Sequence, residues 1–395
     1  MATFGHAMLE HWLLDPEYTY LNHGTVGAPP RRVLEKQQAL RHEIERQPAR
    51  FMLRELAGHQ LAPWRGESRI REAAGSVAGF FGSRSEDLVF VPNVTTGLNA
   101  VLRSIPLAPG EQVVMSDLAY GAIALAAGFA TRERGAILRI VEMPYPVRDA
   151  DAIVEAFVSA LTPRTRLAVV DHITAQTALV LPVTAIVAEC HARGVPVLVD
   201  GAHVPGSLAL DIPSVGADWY VANLHKWAHA PRACGILWAA PDRQRDLHHP
   251  VVSWGFGQGF REEFEWNGTS DPTSYLAAPE GIALLREWGF DSVLDYMHSL
   301  AWEAACVLTD SWRTTLETPR AMVGAMVTVP LPEAAGATDG DAAQLRLALL
   351  VEDRIEVQLH AWRGRLWVRI SAQVYNDRSD MVQLAEAVLR RIGRV

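Results

Sequence analysis

Two side chains in this chain have the types and the spacing to do chemistry together: Asp200 and Lys226. Lys226 is one of only two lysines among 395 residues, and elsewhere the chain uses arginine. It sits in His225-Lys226-Trp227, among apolar neighbours. A buried lysine can lose its proton near neutral pH and attack a carbonyl carbon, whereas arginine stays charged. Asp200 closes the apolar run VLVD and could hold a cationic ring nitrogen. The plainer reading makes Lys226 a strand-end cap or an ion-pair partner. Lys36 illustrates it, lying in VLEKQQALRHEIER, a helix with a solvated face.

The elements around the pair place both residues at one crevice. Two short apolar runs, 197–199 and 218–222, are bounded by Gly and Pro signals and read as buried strands. Residues just past such strand ends sit where open α/β sheets bind ligands. A lysine that forms a Schiff base, with a carboxylate that keeps a pyridine nitrogen protonated, is the protein's half of pyridoxal phosphate chemistry.

The rest of the chain supplies the frame. Residues 1–30 form a polar and aromatic arm ending in the loop LNHGTVGAPP. Helical patterns follow over 30–60, interrupted at Pro48, and over 63–81. Strands are expected at 88–91, 111–116, 136–142, 167–171, 195–199, 219–222 and 234–239, with helices between them. This alternation predicts a mainly parallel sheet covered on both faces. The turn after the first of these strands carries Thr95 and Thr96 before a helix start, which makes an anion site; the plainer role for Thr95 is a helix cap. GFGQGF at 255–260 reads as a flexible loop at a site mouth. Residues 275–317 read as helical. Strands at 322–331, 356–361 and 366–371 and helices at 342–353 and 377–391 then make a smaller α+β unit, with Arg369 on a strand between apolar flanks.

VDGAHVPG followed by ANLHKW resembles the cofactor signature of class V aminotransferases, and most closely the subgroup named for isopenicillin N epimerase. YLNHGTVGAPP and LWVRISAQVYN fit the same subgroup, so the likeness runs over nearly the whole chain. It implies the type I pyridoxal phosphate fold: α/β, a mostly parallel seven-stranded sheet with helices on both faces, plus a smaller α+β C-terminal domain. It divides the chain into an arm at 1–24, a large cofactor-binding domain at 25–275 and a small domain at 276–395. It implies roles for single residues as well. Lys226 holds the cofactor, Asp200 faces the ring nitrogen and His203 reaches the ring-oxygen side. Tyr120 stacks on the ring, and Thr95 and Thr96 meet the phosphate. Asn223 and His225 contact the phosphate or orient the lysine. Thr174 contacts the phenolic oxygen or the substrate. Thr269 reaches the partner's phosphate across a homodimer. Asn22 and His23 lie near the substrate, and Arg369 grips its α-carboxylate. The family tends to carry Ser and Pro after the threonine, where this chain has Ala175 and Gln176; the substrate side of the pocket departs there.

Composition removes other classes. A net charge of −9 with no basic stripe argues against a nucleic-acid partner. No run is apolar enough to span a membrane, and the start lacks a signal-peptide pattern, so a cytoplasmic protein is expected. Three cysteines without short spacing give neither a disulfide framework nor a zinc site. All three fall in elements that read as structural, which argues against a desulfurase thiolate. The expected activity is epimerisation at the α-carbon of an amino acid. The alternatives are β-elimination with C–S cleavage, transamination, or a non-catalytic binding protein that keeps the fold. Epimerisation needs a second proton donor besides Lys226, for which Tyr120, His23 and water are the candidates.

Overall fold

The computed structural model describes residues 3–56 and 68–393. The expected helix over 63–81 is described from Arg69 onward; 63–67, and 57–60 of the preceding one, lie outside the described residues.

The strands, in chain order, are β1 (Thr19–Tyr20), β2 (Leu88–Val91), β3 (Gln112–Ser116), β4 (Ile137–Val141), β5 (Thr165–Asp171), β6 (Val197–Asp200), β7 (Trp219–Asn223), β8 (Gly235–Ala239), β9 (Met326–Pro330), β10 (Ile355–Glu356), β11 (Gln358–Trp362) and β12 (Arg365–Ser371). Seven of them form one sheet in the order β2-β8-β7-β6-β5-β3-β4. Neighbours from β7 to β4 run parallel, and β8 is antiparallel to both β7 and β2. Strands such as VLVD and WYVAN are buried at every position, as a sheet covered on both faces requires. The core splits accordingly, with Val197, Val199 and Tyr220 in one apolar cluster and Leu198, Trp219 and Val221 in another.

The covering helices are capped where the sequence offers short polar side chains. The helices that matter here are α1 (Arg31–Arg46), α2 (Arg69–Phe80), α3 (Val94–Ser104), α4 (Gly121–Glu133), α5 (Ala150–Ser159), α6 (Val183–His191), α7 (Ala278–Glu287), α8 (Phe290–Trp312), α9 (Asp339–Glu352) and α10 (Arg378–Ile392). Asn93 caps α3 by accepting the Thr96 N–H at 2.9 Å. Capping boxes start α9 (Thr338 with Asp341) and α10 (Asp377 with Asp380). The helical span expected at 275–317 is broken: a one-turn helix ends at Leu276, and Gly289, at φ +81°, separates α7 from α8. The strand expected from 322 starts later, because Arg320–Met322 is a 3₁₀ turn.

The three-stranded antiparallel sheet β11-β12-β9 packs against α8 and α10 over its own apolar cluster. The N-terminal segment joins it. β1 pairs with β10, Asn22 bridges to Ser371, and the Gly24 N–H donates to Ser371 Oγ at 3.1 Å. Residues 22–25 are thereby laid along the front of the small sheet, facing the carboxyl ends of the large one. No described helix is long and apolar enough to cross a membrane.

Candidate active site

Lys226 follows β7 in a loop whose backbone is pinned at every turn. The N–H groups of Leu224 and His225 both donate to Cys234 O, at 3.0 and 3.1 Å, and His225 Nδ1 lies 2.8 Å from the same oxygen. His23 Nε2 meets Lys226 O at 3.0 Å, while His23 Nδ1 meets the Tyr375 hydroxyl at 2.9 Å. Two glycines press on the loop. A Cβ on Gly27 (φ +67°) would stand 1.9 Å from His225 O, and one on Gly206 (φ +87°) 2.2 Å from Trp227 O. Only glycine combines those dihedrals with that approach.

The side chain so placed enters a cavity of about 590 Å³ at the carboxyl ends of the parallel strands. Lys226 Nζ lies 3.1 Å from His203 Nε2. Burial, with the charge of Arg369 second, pulls the amine down to about 7, and Asp200 acts the other way. Burial raises the Asp200 carboxyl to about 6; the Ala202 N–H, 2.9 Å from Oδ1, and Lys226 oppose the rise. Burial and the lysine charge hold His203 well below its ordinary value, so its ring is neutral. Lys226 is thus an amine free of its proton above about pH 7. The rate at which apoenzyme captures added pyridoxal phosphate should rise with pH through about 7 and then level off. A rate still climbing toward the ordinary lysine value of 10.5, followed in stopped flow, would contradict this.

Arg369 reaches the cavity from β12. Burial lowers it only to about 10, so it remains a cation. Its Nη1 donates to Ala175 O and its Nη2 to Thr25 Oγ1 at 2.7 Å. Among the described residues no carboxylate pairs with it. A buried guanidinium held by neutral acceptors is ready for a carboxylate from outside.

Of the residues singled out from sequence, Thr95, Tyr120, Asp200, His203, Asn223, His225, Lys226 and Arg369 all line this cavity. Asn223 also ties the site to α3, its Oδ1 accepting the Val94 N–H at 3.0 Å. Four others are placed elsewhere. Thr96 turns its hydroxyl to Asn93 Oδ1 at 3.2 Å, reinforcing the cap. Thr174 is fully buried, bonding Thr177 at 2.6 Å and accepting the Leu179 N–H, because its loop needs that polar partner more than the cavity does. Asn22 is drawn to Glu356 at 2.7 Å. His23 lies beneath the lysine backbone, ringed by Trp227, His229 and Tyr375, and burial lowers it to about 4. Thr269, expected at the partner's phosphate, is exposed and outside this chain's own cavity. The 255–260 loop, expected at the mouth, contributes nothing to the wall. The sequence reading missed Thr25, Asp171 and Gln358, which do line it. Asp171 was findable by the rule that found Asp200, since it too is a carboxylate closing a buried strand.

A buried amine and a buried carboxylate at the ends of a doubly covered parallel sheet define a carbonyl-cofactor enzyme of the type I pyridoxal phosphate fold. The chain belongs to the class V aminotransferase family, whose model matches residues 21–384. It is 32% identical to a probable chloroplastic L-cysteine desulfhydrase of Arabidopsis thaliana, over 95% of this chain and 83% of that one. It is 33% identical to the isopenicillin N epimerase of Streptomyces clavuligerus, over 95% of each. Among solved structures it resembles a C-DES mutant with glycine covalently linked to the PLP cofactor, with a TM-score of 0.79 and 20% identity over 94% and 96% of the two chains.

The residues present fit pyridoxal phosphate, the cofactor of this family. The cavity holds a low-pKa amine, a buried carboxylate for a cationic ring nitrogen and the first turn of an eleven-residue helix for a phosphate. His203 Nδ1 is buried without a partner, as a wall that expects a polar guest would leave it. Tyr120, half exposed at the mouth, presents an aromatic face.

The three cysteines stand apart from this chemistry. Cys190 and Cys234 are buried in the core, while Cys306, expected to be buried, is exposed on α8; none lines the cavity. Replacing all three with alanine should leave turnover within about threefold, the change being confined to packing. A variant that keeps the cofactor spectrum but loses activity would show that a thiol is needed.

Proposed function

We propose that this enzyme carries out β-elimination on a cysteine-type amino acid, breaking the C–S bond with Lys226 as its one base. The position of His23 carries this reading. Epimerisation needs a proton donor on each face of the α-carbon, and His23 was one of the three candidates for the second. Both its ring nitrogens are engaged, and it lies wholly beneath the lysine backbone. The relatives named L-cysteine desulfhydrase support the same chemistry.

Pyridoxal phosphate, when bound, supplies an electron sink for the α-carbon. The chain's own residues supply the rest. Arg369 fixes the substrate carboxylate through two parallel N–H donors. His203 holds the Lys226 amine in place from 3.1 Å. Lys226, neutral above about pH 7, takes the α-proton. Sulfur then leaves with the C–S electron pair and is protonated; hydrolysis of the remainder gives ammonia and pyruvate. Gln176 and Gln358 offer neutral hydrogen-bonding groups to the side chain of the substrate.

A second reading, epimerisation, is favoured by Tyr120, which lines the cavity and is 51% exposed, so its proton can exchange with water. The relatives named isopenicillin N epimerase support it. Incubation with L-cysteine and its S-substituted relatives in deuterated water decides between the two. Pyruvate with released sulfide or thiol supports elimination. The D-isomer carrying α-deuterium supports epimerisation instead, and a keto acid with aminated cofactor sinks both.

The active unit is proposed to be a homodimer in which the exposed Thr269 meets the partner's cofactor phosphate. Sedimentation at micromolar concentration should give twice the chain mass of 43.4 kDa. A fully active monomer would remove the contact.

A further inference from the structure

The cavity floor holds a second carboxyl that the chemistry above does not use. Asp171 closes β5 as Asp200 closes β6, and the two are register partners on adjacent parallel strands. Parallel partners present their side chains to the same face about 4.8 Å apart. Both residues line the cavity, and both are buried.

Their surroundings differ. Asp200 Oδ1 accepts the Ala202 N–H at 2.9 Å, and the Lys226 amine favours its charge. Asp171 Oδ2 has no hydrogen-bond partner. The other titratable groups nearby are neutral: the Tyr220 hydroxyl and His172 Nδ1 lie 2.7 Å apart, and burial pushes Tyr220 up and lowers His172 to about 4. The Arg369 charge acts on Lys226. Burial first, and the Asp200 charge second, push the Asp171 carboxyl well above the carboxylate range; the Tyr120 N–H, the residue's own N–H and the Ser116 hydroxyl act the other way. Two buried carboxyls side by side cannot both be ionised.

We propose that Asp171 is a positioning residue that holds the pair's proton, leaving Asp200 as the sole charge on the cavity floor. The Asp171 hydroxyl is then a donor, and the carboxylate opposite it across the strand pair is its acceptor. One donor more on Asp200 fixes that carboxylate beneath the cofactor ring and keeps its charge single. The arrangement concerns the cofactor side of the site, so it stands whether the substrate loses a β-substituent or only its α-proton.

Difference infrared spectroscopy on the holoenzyme above neutral pH tests it. A protonated-carboxyl stretch should be present in the wild type, absent in Asp171→Asn and retained in Asp200→Asn. A band absent from the wild type, or one that survives in Asp171→Asn, overturns the proposal, as does loss of the band in Asp200→Asn. Asparagine keeps the neutral donor, so pyridoxal phosphate should bind Asp171→Asn with less than about a tenfold change, the loss that one pKa unit of charge pairing would give. A loss of tenfold or more overturns it. Should Asp171→Asn fail to fold, Asp171→Ser is held to the same spectroscopic outcome.

Discussion

Lys226→Ala is expected to fold, to show no absorption band of lysine-bound cofactor and to lose turnover by about 10³-fold or more. The amine is at once the covalent anchor and the base, and each role is worth orders of magnitude. A barrier rise of about 4 kcal/mol gives a loss of that size. Stability supplies the control. Lys226 titrates near 7 in the fold and near 10.5 when unfolded, so between those values the unfolded chain binds the extra proton. Wild-type apoenzyme should therefore weaken as pH falls from about 10.5 to about 7 and level off below that. Lys226→Ala should lack that slope in urea melts, while remaining as cooperative as the wild type. A variant that keeps both the band and the turnover would show that another residue holds the cofactor.

Arg369→Leu should raise KM for the amino acid and lower kcat/KM by about 10²-fold or more, with the cofactor band intact. The reason is the unpaired state of the guanidinium. Charge-assisted bidentate contacts to a carboxylate in a desolvated site are worth about 3 kcal/mol or more when one partner is removed. Lysine at this position should not restore the activity, because a single ammonium cannot present two parallel donors. A decarboxylated amine substrate should react no worse with the variant than with the wild type. Loss of the cofactor band in Arg369→Leu would mean that Arg369 supports the fold of the site and not the substrate.

What could be read from the sequence divides by the range of the interactions that decide it. The seven strands were legible because Val, Ile and Leu runs between Gly and Pro report burial locally. Lys226 was legible because the chain otherwise avoids lysine, and Asp200 because it ends such a run. The residues that went elsewhere were decided by partners far along the chain. His23 serves the Lys226 carbonyl 203 positions away, and Asn22 turns to Glu356. Thr174 was drawn off by a need closer at hand, the Leu179 N–H in its own loop. Thr25 and Gln358 carry no local signature, since one belongs to a short turn and the other to an ordinary small-sheet strand. Thr25 becomes a wall residue because β1 and Asn22 fasten the N-terminal segment to β10 and β12, and Gln358 because it is the register partner of Arg369.

That fastening also sets the order in which the protein can mature. The lysine waits for its carbonyl to be held by His23, which waits in turn for Tyr375; the cation facing it comes from Arg369. His23 and Tyr375 are 352 positions apart, so that whole stretch is made before these pieces coexist. The nascent chain can lay down its large sheet early, yet the chamber stays open until the last strand and its following turn emerge. Loading into a closed chamber therefore follows synthesis of β12 and Tyr375, and a premature stop before Arg369 would leave the Lys226 amine without that wall.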